Sequence, residues 1–154
     1  MYSMTKKDVW GNACWHLFHA ACIKLKPERI DLVHDLLRLI TTICRNLPCP
    51  TCSDHASHIM SGIIINRIKT QSDLITCIYQ FHNKVNARIE HPICAREHHD
   101  AIYKNAILGK IIQHFITTMN INWPGDRNML YSMSRNRMLQ TVIDFFRKNK
   151  DAFN

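Results

Sequence analysis

The sequence predicts an all-α protein in which a four-helix bundle is followed by a short element and a further helical region. Apolar residues recur mostly at intervals of three and four positions, which is the periodicity of an amphipathic helix. The 154 residues include only four glycines and five prolines, too few for a turn-rich β-sandwich or barrel. Hydrophobic residues make up 46% of the chain, enough to bury a sizeable core.

Three helices are predicted in the first 60 residues. The first runs from about Asp8 to Ile23 and ends before the Lys26-Pro27 step. The second begins near Pro27, because the fixed φ of proline suits a first helical turn. Pro50 is placed in the same way at the start of the third helix, which continues to about Met60.

A fourth helix follows a connector at residues 66–70. Ser72 is its predicted N-cap, and His91-Pro92 ends it. We therefore expect residues 1–95 to form the bundle and residues 96–154 to form a helical extension that packs on it or at an interface.

Two further helices are predicted in the extension. One spans about His98 to Met119, and a turn signal at residues 122–126 separates it from a last amphipathic helix. Phe145 and Phe146 of that last helix are expected to be buried.

The charge and the apolar runs exclude some classes of protein. The formal net charge is +8, but the basic residues are dispersed, which argues against a nucleic-acid partner. No uncharged apolar run approaches the roughly 20 residues that span a bilayer. The N-terminus has no apolar h-region, so the sequence predicts no signal peptide, no membrane anchor and a cytoplasmic location.

The sharpest local feature is the pair Cys49 and Cys52, which enters a helix after Leu47-Pro48. Two cysteines separated by two residues can close a reducible disulfide on the first turn of a helix. The helix dipole and the unpaired amides there favour a thiolate, the species that attacks disulfides. The alternative is a zinc site that adds His55 and His58, but four tetrahedral ligands from one short helix are geometrically awkward.

Two further patterns lie on the first and fourth helices. Gly11, Trp15 and His19 follow one another at intervals of four, so they share a face of the first helix. His82 and Asn86 share a face of the fourth in the same way, and Val85 lies between them in the sequence. Each pattern alone is compatible with an ordinary helix that buries an aromatic residue beside a polar neighbour.

In this order and spacing, the segments Gly-x-x-x-Trp-x-x-x-His, Pro-Cys-x-x-Cys and His-Asn-x-Val-Asn resemble the Erv/ALR family of sulfhydryl oxidases. The resemblance covers roughly residues 8 to 95, and the small size without a targeting segment looks like the versions carried by large cytoplasmic DNA viruses. It implies a four-helix bundle that binds FAD noncovalently. The residues it assigns to the cofactor are Gly11, Trp15, His19, His82, Asn83, Val85, Asn86 and Arg88.

The resemblance also implies a mechanism and partners. Cys49 is the cysteine that exchanges with the substrate, and Cys52 lies against the flavin, which passes electrons to dioxygen and releases hydrogen peroxide. Neither terminus carries a second Cys-x-x-Cys pair, so the implied substrate is a small thioredoxin-like protein. The family also implies a homodimer, and its viral members imply host cytoplasm or virion as the location. A basic residue normally meets the pyrophosphate; Arg88 is the natural candidate, with Lys84 as a candidate helper.

The other five cysteines have no assigned role. Cys14 and Cys22 are eight positions apart, about 12 Å along one helix, which is too far for a disulfide. Cys77 and Cys94 could form a bridge if the chain folds back, and the environment of Cys44 stays open. The competing function is a nonenzymatic, basic helical binding module, with or without a stabilising zinc ion. Such a module would be colourless, and in the zinc-stabilised form it would be sensitive to chelators.

Overall fold

The computed structural model describes residues 4–93, 95–121 and 129–154. Over these ranges the chain forms α-helices joined by short turns, with no strand, which confirms the all-α prediction. No helix among these residues is both long and apolar enough to cross a membrane. The helices are α1 (Lys6–Lys24), α2 (Val33–Cys44), α3 (Pro50–Ser61), α4 (Gln71–Arg88), α5 (Arg96–Lys104), α6 (Leu108–Met119) and α7 (Met129–Lys148).

The first helix, α1, lies at the centre of the fold. It contacts α4, α5 and α6, and its apolar residues are buried over most of its circumference. A helix that is apolar on nearly all sides is expected to be enclosed by others. The second helix, α2, contacts α3, α4 and α7. Because α4 contacts both α1 and α2, it connects the helices packed around α1 with those packed around α2.

The two longest helices of the bundle begin with the same local structure. The Thr5 side chain accepts from the Asp8 amide, and the Asp8 carboxylate accepts from the Thr5 amide. Thr70 and Asp73 repeat this capping box at the start of α4. The prediction that Ser72 is the N-cap of α4 is therefore wrong, because Thr70 lies three residues before Asp73, the spacing that a capping box requires.

Two other predicted boundaries also differ. The second helix begins at Val33, after turns that include a 3₁₀ segment at Ile30–Leu32, rather than near Pro27. The helix predicted from His98 to Met119 is two helices, α5 and α6. The Lys24 ammonium donates a hydrogen bond to the Lys104 carbonyl at the end of α5, where it satisfies a carbonyl that the helix leaves unpaired.

The last residues are tied to the end of α1. Leu25 and Phe153 form an isolated β-bridge, and the Lys26 ammonium donates to the carbonyl of Asp151. In the last helix, Phe146 is buried as expected, whereas Phe145 is only partly buried. The predicted turn at residues 122–126 and the candidate partner cysteine, Cys94, lie outside the described residues.

Candidate functional site

The redox pair lies at the beginning of α3. Cys49 is the N-cap residue, and Cys49 and Cys52 form a disulfide with their Cα atoms 5.2 Å apart. The Cys52 amide also donates to the Cys49 sulfur, at 3.2 Å. Because the helix N-terminus directs amides and the positive end of the dipole at this sulfur, it stabilises a thiolate when the disulfide opens.

The loop before the pair is fixed from two sides. The Leu47 amide donates to the Ser53 hydroxyl on the first turn of α3, and the Leu47 carbonyl accepts from the Tyr131 hydroxyl on α7. The neighbouring residue, Asn46, accepts from the Ser134 hydroxyl, also on α7. The last helix therefore braces the backbone that leads into Cys49.

A cavity of about 460 Å³ opens beside the redox pair, between α1, α3 and α4. This volume is within the usual range for sites that bind small molecules and cofactors. Cys52 lines the cavity and Cys49 does not, although both side chains are partly buried. The other predicted residues that line it are Gly11, Trp15, His82, Val85, Asn86 and Arg88.

Aromatic rings form one wall of this cavity. The rings of Trp15 and His82 stack with their centroids 3.9 Å apart and 11° between their planes. Phe81 and Phe18 meet Trp15 edge-on, at 5.0 and 5.7 Å. This packing holds the indole in one orientation, so the wall presents flat, rigid surfaces to a planar ligand.

Positive charge gathers at the same cavity. Lys7 and Arg88 line it, together with one carboxylate, Asp8, and with His55, whose lowered pKa favours the neutral ring. Partial burial lowers the pKa of His55 below its ordinary value, and the nearby charge of Arg88 lowers it further. The wall of aromatic rings and this positive region suit a ligand that is planar at one part and anionic at another.

His19 and Asn83 are not among the residues that line the cavity. His19 is 1% exposed and lies behind His82, with His19 Nε2 and His82 Nδ1 2.7 Å apart. On its other side, His19 Nδ1 lies 2.7 Å from Nε2 of His99 on α5. Burial lowers the pKa of His19 to about 2 and that of His82 to about 4, with the neighbouring histidines adding to both shifts, so both rings are neutral near pH 7.

Sequence reasoning missed several residues of the site. Lys7, Cys14 and Cys44 line the cavity, and His99 reaches it indirectly through His19. A signal for Lys7 was present, because it is four residues before Gly11 and therefore on the same face of α1. His99 had no such signal, since 80 residues separate it from its partner, His19.

Four other cysteines are free and buried: Cys14, Cys22, Cys44 and Cys77. Burial raises the pKa of Cys14 and Cys22 far above the ordinary thiol range, and it raises that of Cys44 to about 12. These thiols are protonated at neutral pH and are poor nucleophiles. Reactive thiol chemistry among the described residues is thus confined to Cys49 and Cys52.

Comparison with known proteins agrees with this geometry. The model of the Erv1/Alr family matches residues 12–104, which is more than half of the chain. The chain belongs to the Erv1/Alr family. The predicted resemblance is thereby confirmed, and the similar proteins reported below are named FAD-linked sulfhydryl oxidases.

Two viral proteins are similar to the Erv1/Alr chain described here. It is 31% identical over 86 residues to a putative FAD-linked sulfhydryl oxidase, 096R, of Invertebrate iridescent virus 3, an alignment that covers 54% of the chain and 58% of that protein. It is 29% identical over 96 residues to another, 347L, of Invertebrate iridescent virus 6, and this alignment covers 55% of the chain and 83% of that protein. The chain thus spans little more than half the length of the first relative. No solved structure matches it significantly.

The residues of the cavity fit FAD. The stacked rings of Trp15 and His82 offer planar surfaces to a flavin or adenine ring, and Lys7 and Arg88 supply the charge that a pyrophosphate requires. Asn86, which is buried, carries both a donor and an acceptor. The predicted helper Lys84 does not line the cavity, whereas Lys7 does.

Proposed function

We propose that this protein is an FAD-dependent thiol oxidase that forms disulfides in protein substrates through Cys49 and Cys52 and passes the electrons to dioxygen. One observation carries the proposal: the sulfur pair at the start of α3 has one member, Cys52, on the wall of an aromatic, positively charged cavity. Family membership supports the same reaction class.

The proposed reaction begins with a substrate thiolate that attacks the Cys49 sulfur. A bond forms between the substrate and Cys49, the Cys49–Cys52 bond breaks, and the electron pair of that bond stays on Cys52 as a thiolate. A second substrate thiolate then attacks the substrate sulfur of the mixed disulfide and releases Cys49. The net change is one new substrate disulfide, a reduced Cys49–Cys52 pair and no free intermediate.

The chain contributes three functions to this exchange. Cys49 is half-buried and does not line the cavity, whereas Cys52 does, which supports Cys49 as the member of the pair that exchanges with a protein substrate. The N-terminus of α3 stabilises the thiolates that form. The hydrogen bond that the Leu47 amide donates to Ser53 and the one that its carbonyl accepts from Tyr131 hold the loop in place while the sulfurs exchange. Bound FAD supplies the two-electron acceptor that reoxidises the pair and passes the electrons to dioxygen, which becomes hydrogen peroxide.

The cofactor residues are proposed in two groups. Gly11, Trp15, His82, Val85 and Asn86 would hold the ring systems, because they line the cavity beside Cys52. Arg88 and Lys7 would meet the pyrophosphate. His19 would act from behind His82 rather than by contact. Asn83, which is half-buried and does not line the cavity, stays a predicted cofactor residue.

The domain arrangement is also a proposal. We assign the cofactor-binding bundle to residues 1–95 and a packed helical extension to residues 96–154. Contacts of α5 and α6 with α1, and of α7 with α2, support packing of the extension on the bundle. Similarity to proteins of two iridescent viruses supports a viral protein. Action in host cytoplasm or in the virion, as a homodimer with a small thioredoxin-like substrate protein, is proposed from the family resemblance alone.

The competing function, a zinc-stabilised binding module, has no support from a ligand set. Over residues 4–93, 95–121 and 129–154, no group of three or more histidine, cysteine or acidic side chains is placed to hold a metal ion. Cys49 and Cys52, the central ligands of that hypothesis, are joined in a disulfide.

The experiment that tests the oxidase function is a visible spectrum of the purified protein, repeated after dithiothreitol is added in air. We expect a flavin band near about 450 nm that bleaches and returns as peroxide accumulates. Cys52→Ser should keep the band and lose the peroxide. Cys22→Ala is the matched control, since Cys22 is buried away from the cavity lining, and it should keep both. A protein that stays colourless after added FAD would overturn the proposal.

A further inference from the structure

Three imidazoles and one carboxylate form an unbroken hydrogen-bonded row behind the cavity. His82 Nδ1 meets His19 Nε2, His19 Nδ1 meets His99 Nε2, and His99 Nδ1 meets the Asp100 Oδ1 atom, each at 2.7 Å. The row begins at the cavity wall with His82 and ends at Asp100, whose side chain is 44% exposed. The family motifs include His82 and His19 but neither His99 nor Asp100.

The carboxylate fixes the direction of every hydrogen bond in the row. An ionised carboxylate only accepts, so His99 Nδ1 must donate to Asp100. A neutral imidazole carries one proton, so His99 Nε2 must then accept, and the donor is His19 Nδ1. By the same reasoning, His82 Nδ1 donates to His19 Nε2. The remaining nitrogen of His82, Nε2, therefore carries a lone pair.

The local electrostatics keep the row in this state. Burial, which would raise the pKa of Asp100, is outweighed by its hydrogen bonds with His99 and Arg96, so its pKa lies below the ordinary value and the carboxylate is ionised. The low pKa values of His19 and His82 keep these two rings neutral. The direction of the row holds for the state in which His99 is neutral as well, because a protonated His99 would donate from both ring nitrogens.

We propose that Asp100 and His99 are positioning residues that act through His19 to make His82 Nε2 a hydrogen-bond acceptor for an N–H or O–H group of the cofactor. This inference rests on FAD as the occupant of the cavity. Neither positioning residue lines the cavity, so each acts only by fixing which nitrogen of the next ring is protonated. A catalytic histidine held by a carboxylate is controlled in the same way.

Asp100→Asn should reverse the whole row. The Arg96 guanidinium donates to the Thr76 hydroxyl at 3.2 Å and to both Asp100 oxygens, and the shorter of these two contacts, 3.1 Å against 3.3 Å, is to Oδ2, the oxygen that does not meet His99. Because this guanidinium can only donate, it should hold the carbonyl oxygen of the substituted amide and turn the amide nitrogen toward His99. His99 Nδ1 must then accept, the two following bonds reverse, and His82 Nε2 becomes a donor.

The direct test is nitrogen NMR of the imidazoles in the full-length protein at about pH 7.5, with and without FAD, where histidine rings of low pKa are neutral. We expect a proton on Nδ1 of all three histidines in the wild type and on Nε2 of all three in Asp100→Asn. Asp100→Ala replaces the carboxylate by water, which both donates and accepts, and should give a mixture of tautomers. Asp35→Asn is the matched control, because the Asp35 carboxylate accepts from Arg38 on α2 and takes no part in the row of histidines.

The functional test is the dissociation constant for FAD, measured by flavin fluorescence. In Asp100→Asn the N–H of His82 Nε2 would face an N–H or O–H group of the cofactor, so one hydrogen bond is lost and a buried donor stays unpaired. This variant should therefore bind FAD about tenfold or more weakly. Asp35→Asn should bind like the wild type.

Two results would overturn the inference: a His82 that keeps its Nδ1 proton in Asp100→Asn, or a reversed tautomer with unchanged FAD affinity. A wild-type protein that binds no FAD would refute the proposed function instead, and the tautomers would still be readable without flavin.

Discussion

Acidification to about pH 5 should destabilise this protein strongly, because His19 and His82 are buried as neutral rings. Their pKa falls from 6.5 to about 2 for His19 and to about 4 for His82, with burial as the main cause. Between these values and 6.5 the unfolded chain binds protons that the folded protein does not. The free energy of unfolding therefore rises with pH through this window. The stability linked to the two neutral rings is complete above about pH 6.5 and is lost as the pH falls.

The magnitude follows from the width of the window. At about pH 5 each ring is about 1.5 pH units below its unfolded pKa, and one unit corresponds to about 1.4 kcal/mol, so each costs about 2 kcal/mol. Because solvent screens the partly exposed His82, its cost is smaller, and the expected total loss in the free energy of unfolding is about 3 kcal/mol. This is a large fraction of the roughly 5–15 kcal/mol by which domains are usually stable.

The assay is urea unfolding followed by tryptophan fluorescence at about pH 7, 6 and 5, at constant ionic strength and constant free FAD. His82→Gln removes one of the two groups and should reduce the loss at pH 5 by about 1 to 2 kcal/mol. His98→Gln is the matched control, since His98 is exposed on α5 next to buried His99, and it should keep the full loss. Equal stability of the wild type at the two ends of this pH range, or equal effects of the two substitutions, would refute the reasoning.

Three other changes have expected outcomes. Arg88→Gln should weaken FAD binding about tenfold and reduce its salt dependence in a fluorescence titration, whereas Arg38→Gln, far from the cavity lining, should change neither. Thr70→Ala removes the capping box of α4 and should lower the free energy of unfolding by about 1 kcal/mol; no change by chemical denaturation would contradict the role of the cap. Phe115→Ala, at a side chain that is 0% exposed in α6, should cost about 3 to 5 kcal/mol. Ile102→Ala, at a side chain that is 53% exposed, should stay within about 0.5 kcal/mol, and similar values for the two would mean that α6 is not part of the core.

The sequence was most informative where the information is local. Residues four positions apart on α1, such as Gly11 and Trp15, must share a face, and the structure brings both to one cavity with Cys52. The start of α3 at Pro50 was predictable because proline suits a first turn. Local spacing and the family motifs together were therefore enough to predict seven of the residues that line the cavity.

Contacts between distant segments could not be predicted. The hydrogen bond between His19 and His99 joins residues 80 positions apart, and no periodicity encodes it. At the break between α5 and α6, the carbonyl at the end of α5 accepts from Lys24, which comes from a distant part of the chain. Such features depend on how helices pack, which the hydrophobic pattern of each helix leaves open.

The central place of α1 has a consequence for how the protein is made. A ribosome produces α1 first, but its partners α4, α5 and α6 begin at residues 71, 96 and 108. At roughly 5 to 20 residues per second, α1 waits several seconds with its apolar surface uncovered. The nascent chain is thus most exposed to aggregation and to chaperones before its last third emerges. Synonymous codons that slow translation between α4 and α6 should lengthen that interval and lower the yield of folded protein.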